Sequence, residues 1–176
     1  MTAYKLKILL CGPAAVGKTS LIYNYIHQKF QSSYKLTVGV DILTKTVEYA
    51  PGESAVLSIW DIGGQQRFEF IRSTFYKGAA GVLLVFDLTR PETWDKILSW
   101  RQEVRQYAGD IPFVLIGNKV DLLDEEFGTA IDRNAARQYA ESQGSIYIET
   151  SAKTGQNVEA AFEELTRRVV ASKRGG

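Results

Sequence analysis

Cysteine and histidine are almost absent from this sequence. The 176 residues contain one of each, Cys11 and His27. A single cysteine cannot form a disulfide within the chain, and such scarcity is typical of proteins of the reducing cytoplasm. We expect Cys11 to be a small buried residue at the end of a strand rather than a reactive thiol. We expect His27 to lie on a helix surface, without a role in the chemistry.

The sequence also lacks segments for membrane insertion or lipid attachment. No apolar run approaches the roughly 20 residues that a transmembrane helix needs. Residues 1–5 do not have the layout of a signal peptide, and Thr2 stands where N-myristoylation requires glycine. The last four residues include no cysteine for prenylation, so either the expressed chain is shortened or the protein is not anchored in that way. We expect a cytoplasmic protein, and peripheral membrane association is left open.

An excess of charge of one sign is missing as well. The 21 basic and 20 acidic residues give a formal net charge of +1, which argues against a nucleic-acid-binding protein. Hydrophobic residues make up 45 % of the chain and charged residues 23 %, an ordinary globular composition. There is no repeat, low-complexity tract or linker. We expect one domain over residues 1–176, present as a monomer.

The clearest positive signal is the run Gly-Pro-Ala-Ala-Val-Gly-Lys-Thr at residues 12–19. An apolar run at 5–11, predicted to be a buried strand, precedes it, and a helical pattern at 20–28 follows. This strand–loop–helix context distinguishes a phosphate-binding loop (P-loop) from a chance glycine-rich turn. In such a loop, backbone N–H groups and the positive end of the helix dipole converge on an anion. Lys18 would reach the β- and γ-phosphates, and the Thr19 hydroxyl would bind magnesium.

Strands and helices alternate along the rest of the chain. Period and turn signals predict strands at residues 5–11, 39–49, 54–61, 81–87, 111–117 and 145–149. Helices are predicted at 20–28, 68–77, 89–107, 132–141 and from Val158 onward. Thr89 and Glu92 have the spacing of a capping box, and Asp132 is placed to cap the next helix. This order predicts the α/β class: a mostly parallel six-stranded sheet with one antiparallel edge strand and helices on both faces, as in P-loop NTPases.

Four chemically suggestive segments follow predicted strands: residues 12–19, 61–65, 118–121 and 151–153. Ligands in open α/β sheets bind beyond the carboxyl ends of the strands. In the run Asn118-Lys119-Val120-Asp121, the Asp121 carboxylate can accept both donors on one edge of guanine. Adenine lacks the ring N–H, and the mismatch would cost about 1–3 kcal/mol. Asn118 would brace neighbouring loops and the Lys119 stem would cover the base. The alternative is that residues 118–121 form an ordinary solvated loop, and the presence of the P-loop in the same chain argues strongly against it.

Together these motifs resemble a small GTPase of the Ras superfamily, closest to its Rab branch. The resemblance covers residues 5–171 and is also carried by residues 34–41, 60–65, 76–79 and 151–153. The Asp-Ile-Gly-Gly-Gln run at 61–65 is closer to Arf-type proteins, because Gly63 stands where Rab proteins usually have alanine. Gln66 replaces the usual glutamate.

The resemblance implies a role for each matching position. Phe30 would pack against the base, Tyr34 would lie over the phosphates, the Gly64 N–H would contact the γ-phosphate and the Ala152 backbone would read the guanine oxygen. Magnesium would be held by Thr19 and Thr37, and by Asp61 through a water, a set of oxygen ligands that suits this ion. The expected nucleotide-binding residues are Ala14, Ala15, Val16, Gly17, Lys18, Thr19, Ser20, Phe30, Tyr34, Thr37, Gly64, Asn118, Lys119, Asp121, Ser151, Ala152 and Lys153.

The expected function is that of a molecular switch that binds and hydrolyses GTP and regulates membrane-traffic-like or signalling processes. Gln65 would orient the attacking water, with Lys18 and Thr37 as the other catalytic residues. Thr37 and Gly64 would contact only a ligand with a third phosphate, so the bound nucleotide would shift a conformational equilibrium. Unassisted turnover should be slow, on the order of 10⁻⁴ to 10⁻² per second.

Two other functions are weighed against the switch. The first is a GTP-binding scaffold with negligible hydrolysis, which Gln65 and Thr37 disfavour. The second is a P-loop kinase or ATPase, which Asp121 and the lack of an arginine-rich lid insertion disfavour. A switch implies exchange-factor, activating and effector proteins as partners.

Some positions depart from the family pattern. Ala14 stands where Ras proteins have glycine, and its methyl group would hinder an arginine supplied by an activating protein. Pro13 has no N–H to donate to a phosphate. Ile42, Trp60 and Phe75 align with the aromatic triad through which Rab proteins contact effectors, although the first member here is aliphatic. We hypothesise an effector patch, and ordinary packing between hairpin and helix has equal weight.

Overall fold

Six strands form one sheet, and helices connect most of them along the chain. The computed structural model describes residues 4–27, 40–63, 72–123 and 131–175. Its strands are β1 (Tyr4–Cys11), β2 (Val40–Ala50), β3 (Glu53–Ile62), β4 (Gly81–Asp87), β5 (Phe113–Asn118) and β6 (Tyr147–Thr150). The helices within these ranges are α1 (Lys18–His27), α2 (Pro91–Asp95), α3 (Ile97–Ala108), α4 (Arg133–Ser142) and α5 (Val158–Gly175).

The order of the strands confirms the predicted fold class. They lie in the order β2-β3-β1-β4-β5-β6, and β2 pairs with β3 in antiparallel register. The pairs β1–β3, β1–β4, β4–β5 and β5–β6 are parallel. The sheet therefore brings the carboxyl ends of β1, β3, β4, β5 and β6 to one edge, where a ligand of an α/β protein binds.

Hydrophobic cores lie on both faces of the sheet because neighbouring strand residues point in opposite directions. Leu10 and Val85 pack on one face with Tyr25 and Phe162, whose rings stack at 4.0 Å. On the other face, the core includes Leu9, Phe86, Trp100 and Leu115. Every residue of β4 and β5 is buried, as expected of central parallel strands. Fully burying an aliphatic or aromatic side chain contributes about 1.5–3 kcal/mol.

The capping box predicted at Thr89 and Glu92 is wrong. Helix α2 begins after Arg90, which has no side-chain cap. The Thr89 hydroxyl instead donates to Asp87 Oδ1 at 2.6 Å, because the buried carboxylate competes for it. The predicted helix is also divided at Lys96, between α2 and α3. By contrast, Asp132 caps α4 as predicted and accepts from the Ala135 N–H at 3.1 Å.

Other expectations have mixed outcomes. The helix predicted over residues 68–77 lies partly outside the described residues, and its last part is a 3₁₀ turn at Ser73–Phe75 followed by a turn at Gly78 with φ +80°. Cys11 is buried at the end of β1, and burial raises the pKa of its thiol to about 12, so it is a structural residue as predicted. His27 is exposed at the end of α1. In the described parts of the chain, no helix combines the length and apolar character needed to cross a bilayer.

Candidate nucleotide-binding site

The P-loop at residues 12–17 joins β1 to α1. Both of its glycines lie so close to neighbouring atoms that a side chain would not fit. A Cβ on Gly12 would lie 2.1 Å from the carbonyl oxygen of Val85, and one on Gly17 would lie 2.3 Å from Asn118 Nδ2. Both glycines also have positive φ, of +153° and +101°. The loop therefore passes directly against β4 and the end of β5, which only glycine permits at these positions.

Side chains bind the carbonyl oxygens of five consecutive P-loop residues. The donors are Lys18 Nζ to Gly12 (2.9 Å) and Pro13 (2.8 Å), Arg90 Nη2 to Ala14 (3.0 Å), Lys119 Nζ to Ala15 (3.1 Å) and Asn118 Nδ2 to Val16 (3.0 Å). No peptide bond in the described residues is cis. In a trans peptide the N–H points away from the C=O, so fixing the carbonyls leaves the N–H groups of residues 14–17 facing the opposite side. The Gly12 peptide adds none, because Pro13 lacks an N–H. Such a row of N–H groups is an anion-binding concavity.

Lys18 is the first residue of α1, directly after the P-loop, and it is buried. Burial lowers the pKa of its ammonium to about 8, although the nearby Asp61 carboxylate acts in the opposite direction. An ammonium has three N–H donors, and two of them have carbonyl partners in the loop. The third can be offered to an anion, which would also offset the desolvation of the charge.

Thr19 and Asp61 come together although they are 42 residues apart. The Thr19 hydroxyl donates to Asp61 Oδ2 at 2.5 Å, and Asp61 is buried near the end of β3. A hydroxyl and a carboxylate are the hard oxygen ligands that Mg²⁺ prefers. Among the described residues no group of three or more His, Cys, Asp or Glu side chains could hold a metal. Two adjacent oxygen donors fit an ion that keeps several waters and shares phosphate oxygens, so the residues present suit magnesium.

The base-recognition segment is tied to the P-loop and to β6. Asn118 is buried at the end of β5; it donates to the P-loop as above and accepts from the Thr150 hydroxyl at 2.9 Å. Asp121 is exposed in a 3₁₀ turn, where Oδ1 accepts from the Ser151 hydroxyl at 2.8 Å. The carbonyl of Ala152 accepts from Asn24 Nδ2 at 3.1 Å, which joins this segment to α1. Segments that lie 102 and 128 residues apart in sequence are thereby held as one surface.

Most of the described site residues predicted from the sequence meet at this edge. Lys153 is exposed and Ser20 is half-buried in the first turn of α1. Two residues at the same edge were missed by sequence reasoning: Asp87, the last residue of β4, and Arg90, which lies in the loop after it. The position of Asp87 at the end of a buried strand was a signal that could have found it. Phe30, Tyr34, Thr37, Gly64 and Gln65 lie outside the described residues.

Asp87 is the fully buried centre of a charged cluster. Its Oδ1 accepts from the Thr89 N–H and hydroxyl, and its Oδ2 accepts from Arg90 Nε at 3.0 Å and Lys119 Nζ at 2.9 Å. Burial alone would raise the pKa of the Asp87 carboxyl. The bonds from Thr89 and Lys119 outweigh that effect and hold the pKa below its ordinary value. We call these four residues the Asp87 cluster.

The fold and the loop define an α/β nucleotide-binding protein of the P-loop class. A family model described as Ras family matches residues 7–171. The chain is 40 % identical over 175 residues to the GTP-binding protein yptV5 of Volvox carteri, covering 96 % of this chain and 84 % of that protein. It is 39 % identical over 168 residues to the Ypt/Rab-type GTPase YPT7 of Saccharomyces cerevisiae, covering 92 % and 80 %. The Ras-related protein RABG3f of Arabidopsis thaliana is 39 % identical over 173 residues, with coverage of 95 % and 83 %.

The chain therefore belongs to the Ras family, and its resemblance to the Rab branch is confirmed. It is a small GTPase, which binds GTP and hydrolyses it to GDP. The P-loop kinase or ATPase alternative is excluded by this membership. The scaffold with negligible hydrolysis is not favoured.

Proposed function

We propose that the edge formed by the P-loop, Asp61, residues 118–121 and residues 151–153 binds a guanine nucleotide in a switch that regulates membrane traffic. The observation that carries this proposal is the row of five P-loop carbonyls fixed by side chains, which leaves the N–H groups to an anion. The similarity to Ypt/Rab-type relatives supports the regulation of membrane traffic. That the protein acts as a monomer in the cytoplasm stays a prediction from the sequence.

Asp121 would select guanine. Its bond from Ser151 uses one oxygen and orients the carboxylate, which has no cationic partner within the described residues, so acceptor capacity remains for the base. Competition of unlabelled GTP and ATP against fluorescent GDP tests this selection. We expect Asp121→Asn to weaken GTP binding about 10- to 100-fold without changing ATP binding. Asp110→Asn, at an exposed aspartate in the α3–β5 connection, is the matched control. Equal binding of ATP and GTP by the unchanged protein would contradict the proposal.

Thr19 and Thr37 would bind magnesium directly and Asp61 would do so through a water. The ion would neutralise charge on the phosphates. The adjacent oxygens of Thr19 and Asp61 support the roles given to these two residues. Lys18 would add its ammonium to the same phosphates.

Gln65 would orient the water that attacks the γ-phosphate, since its amide can accept from and donate to one water. We expect Gln65→Leu to slow single-turnover phosphate release by at least about tenfold while GDP affinity is unchanged. The neighbouring Gln66→Leu removes the same chemical group and serves as control. Unchanged release in Gln65→Leu would refute this role. Negligible release by the unchanged protein would instead favour the scaffold.

Ile42, Trp60 and Phe75 would form the effector patch. Ile42 is 48 % exposed and lies opposite Trp60 in the β2–β3 register. The rings of Trp60 and Phe75 are 6.1 Å apart, and Lys7 Nζ lies 3.7 Å from the centre of the Trp60 ring. Trp60 is therefore the neighbour of both other residues, and all three are close in sequence to residues 28–39 or 64–71, which contain Thr37 and Gly64. The contacts of Trp60 with Phe75 and Lys7 support the packing interpretation, and the exposure of Ile42 supports the effector patch.

The patch is tested by comparing partners of the GTP-loaded and GDP-loaded protein. We expect Trp60→Ala to keep nucleotide affinity and to lose the partners that bind only the GTP-loaded form. Leu98→Ala, at an exposed leucine of α3, controls for general loss of apolar surface. If Trp60→Ala retains every GTP-dependent partner, the patch is a packing feature.

A further inference from the structure

Arg90 joins the loop after β4 to the P-loop. Its Nε donates to Asp87 Oδ2 at 3.0 Å, and its Nη2 donates to the Ala14 carbonyl oxygen at 3.0 Å. The two bonded residues lie on different elements at the nucleotide-binding edge, Asp87 at the end of β4 and Ala14 in the P-loop. Because the guanidinium is a planar fork, it can hold both acceptors in one fixed geometry. Arg90 is therefore a link between the buried carboxylate and the phosphate-binding backbone.

The surroundings of Arg90 fix both its side chain and its main chain. The fully buried Asp87 supplies the counter-charge and is itself held by two bonds from Thr89. The Thr93 hydroxyl donates to the Arg90 carbonyl at 2.7 Å. About a third of the Arg90 side chain is exposed, so its role does not depend on filling the core. These contacts orient the guanidinium toward Ala14.

A cation on a carbonyl oxygen changes the N–H of the same peptide. The carbonyl of Ala14 and the N–H of Ala15 belong to one peptide group, and polarisation of the oxygen makes the N–H a stronger donor. Since that peptide is trans, the N–H points away from Arg90 and toward the concave side of the loop. Lys119 acts in the same way on the next peptide, through the Ala15 carbonyl. Both cations share Asp87 as counter-charge.

We propose that Arg90 is a positioning residue for the phosphates of the nucleotide, acting through the Ala14–Ala15 peptide. It holds the Ala14 carbonyl outward and strengthens the Ala15 N–H as a donor, and it does not itself contact the ligand. The inference rests on the proposed nucleotide site and adds a residue to it. P-loop N–H groups hold the α- and β-phosphates, and the proposal assigns the Ala15 N–H to the β-phosphate. The effect of Arg90 is therefore expected for GDP and not for GMP, which lacks that phosphate.

The test is displacement of fluorescent GDP by unlabelled GDP and GMP at pH 7. We expect Arg90→Ala to raise the Kd for GDP about tenfold, a typical value for one charge-assisted hydrogen bond, and the Kd for GMP less than about twofold. Arg105→Ala removes an exposed arginine near the end of α3 and should change neither value. Circular dichroism melting checks that each variant is folded.

Each outcome decides the proposal. Loss of GDP affinity with unchanged GMP affinity supports it. Equal losses for GDP and GMP indicate general loosening of the site and overturn it, as does an unchanged Kd for GDP. If Arg90→Ala does not fold, Arg90→Gln keeps most of the stem without the charge and gives the same comparison. Failure of the unchanged protein to bind any guanine nucleotide overturns the proposed function itself, which is a separate result.

Discussion

Two buried carboxylates in this molecule each bond to an arginine, and they differ in where their hydrogen bonds lead. Asp87 is 0 % exposed at the end of β4, and Glu103 is 8 % exposed on α3. Arg90 and Lys119, the two cations that bond Asp87, also donate to the Ala14 and Ala15 carbonyls of the P-loop. Glu103 instead accepts from Arg72 Nε and Nη2, both at 2.7 Å, and from the Tyr76 hydroxyl.

The hydrogen bonds to Glu103 come from Arg72 and Tyr76 and not from a side chain that bonds the carbonyl oxygens of residues 12–16, although Cys11, next to Tyr76, directly precedes the P-loop. Arg72 lies over the Trp100 ring at 4.5 Å, and the Cys11 thiol is 4.0 Å from the Tyr76 hydroxyl. This Glu103 cluster, formed by Arg72, Tyr76 and Glu103, holds the chain that follows residues 64–71 against α3. A buried charge supports binding where its partners also bond the ligand loop, and it supports the fold where they do not. The two clusters should therefore respond differently to substitution.

Glu103→Leu should have the largest effect on stability. It removes the carboxylate that bonds Arg72 twice, and we expect the free energy of unfolding to fall by about 3 kcal/mol. Urea unfolding of nucleotide-free protein measures this without a contribution from bound ligand. The double variant Arg72→Met/Glu103→Leu should recover most of the loss, because it no longer buries a charge. A tenfold loss of GDP affinity with unchanged stability would contradict the division between the clusters.

Asp87→Asn should affect both quantities. The amide keeps the size of the side chain but leaves Arg90 and Lys119 without their counter-charge, so both can move from the P-loop carbonyls. We expect the Kd for GDP to rise about tenfold and the free energy of unfolding to fall by about 2 kcal/mol. Fluorescent GDP titration and urea unfolding measure the two effects. A loss of stability alone, with GDP affinity unchanged, would show that the Asp87 cluster is structural like its counterpart.

The two clusters also mark what sequence reasoning could reach. Lys18, Thr19 and Asn118 could be predicted because their motifs are local and follow strands whose ends meet in any α/β sheet. Arg90 was not found, because the Thr89–Glu92 spacing matched a capping box while Asp87 took the Thr89 hydroxyl. Glu103 was not found because its partner Arg72 lies 31 residues away on another element. Local periodicity describes which face of a helix is apolar, and it does not describe which charge a distant element brings to that face.

The pH dependence of the Asp87 contribution should be small and confined to acid. Thr89 and Lys119 hold the pKa of this carboxyl below the ordinary value of 3.8, to which it returns on unfolding. The carboxylate therefore stabilises the fold fully above pH 3.8, and the contribution is lost as pH falls through the folded-state pKa. The stability gap to Asp87→Asn should stay constant from pH 7 to 5 and narrow by no more than about 0.4 kcal/mol at pH 3.8. A gap that already closes near pH 6 would mean a raised pKa.

Tyr25→Phe should have the smallest effect on the free energy of unfolding. It shows whether the cost of a substitution comes from the burial of a polar group or from the loss of its hydrogen-bond partner. Tyr25 is 3 % exposed, and its hydroxyl has no hydrogen-bond partner among the described residues. Removing it leaves no group unsatisfied, so we expect a loss below about 0.3 kcal/mol in urea unfolding. Tyr76→Phe removes the same atom from a residue that donates to Glu103, and it should lose about 1 kcal/mol. Equal losses would mean that the cost of disturbing Asp87 or Glu103 comes from burial itself, whereas the expected difference assigns it to the partners that are left behind.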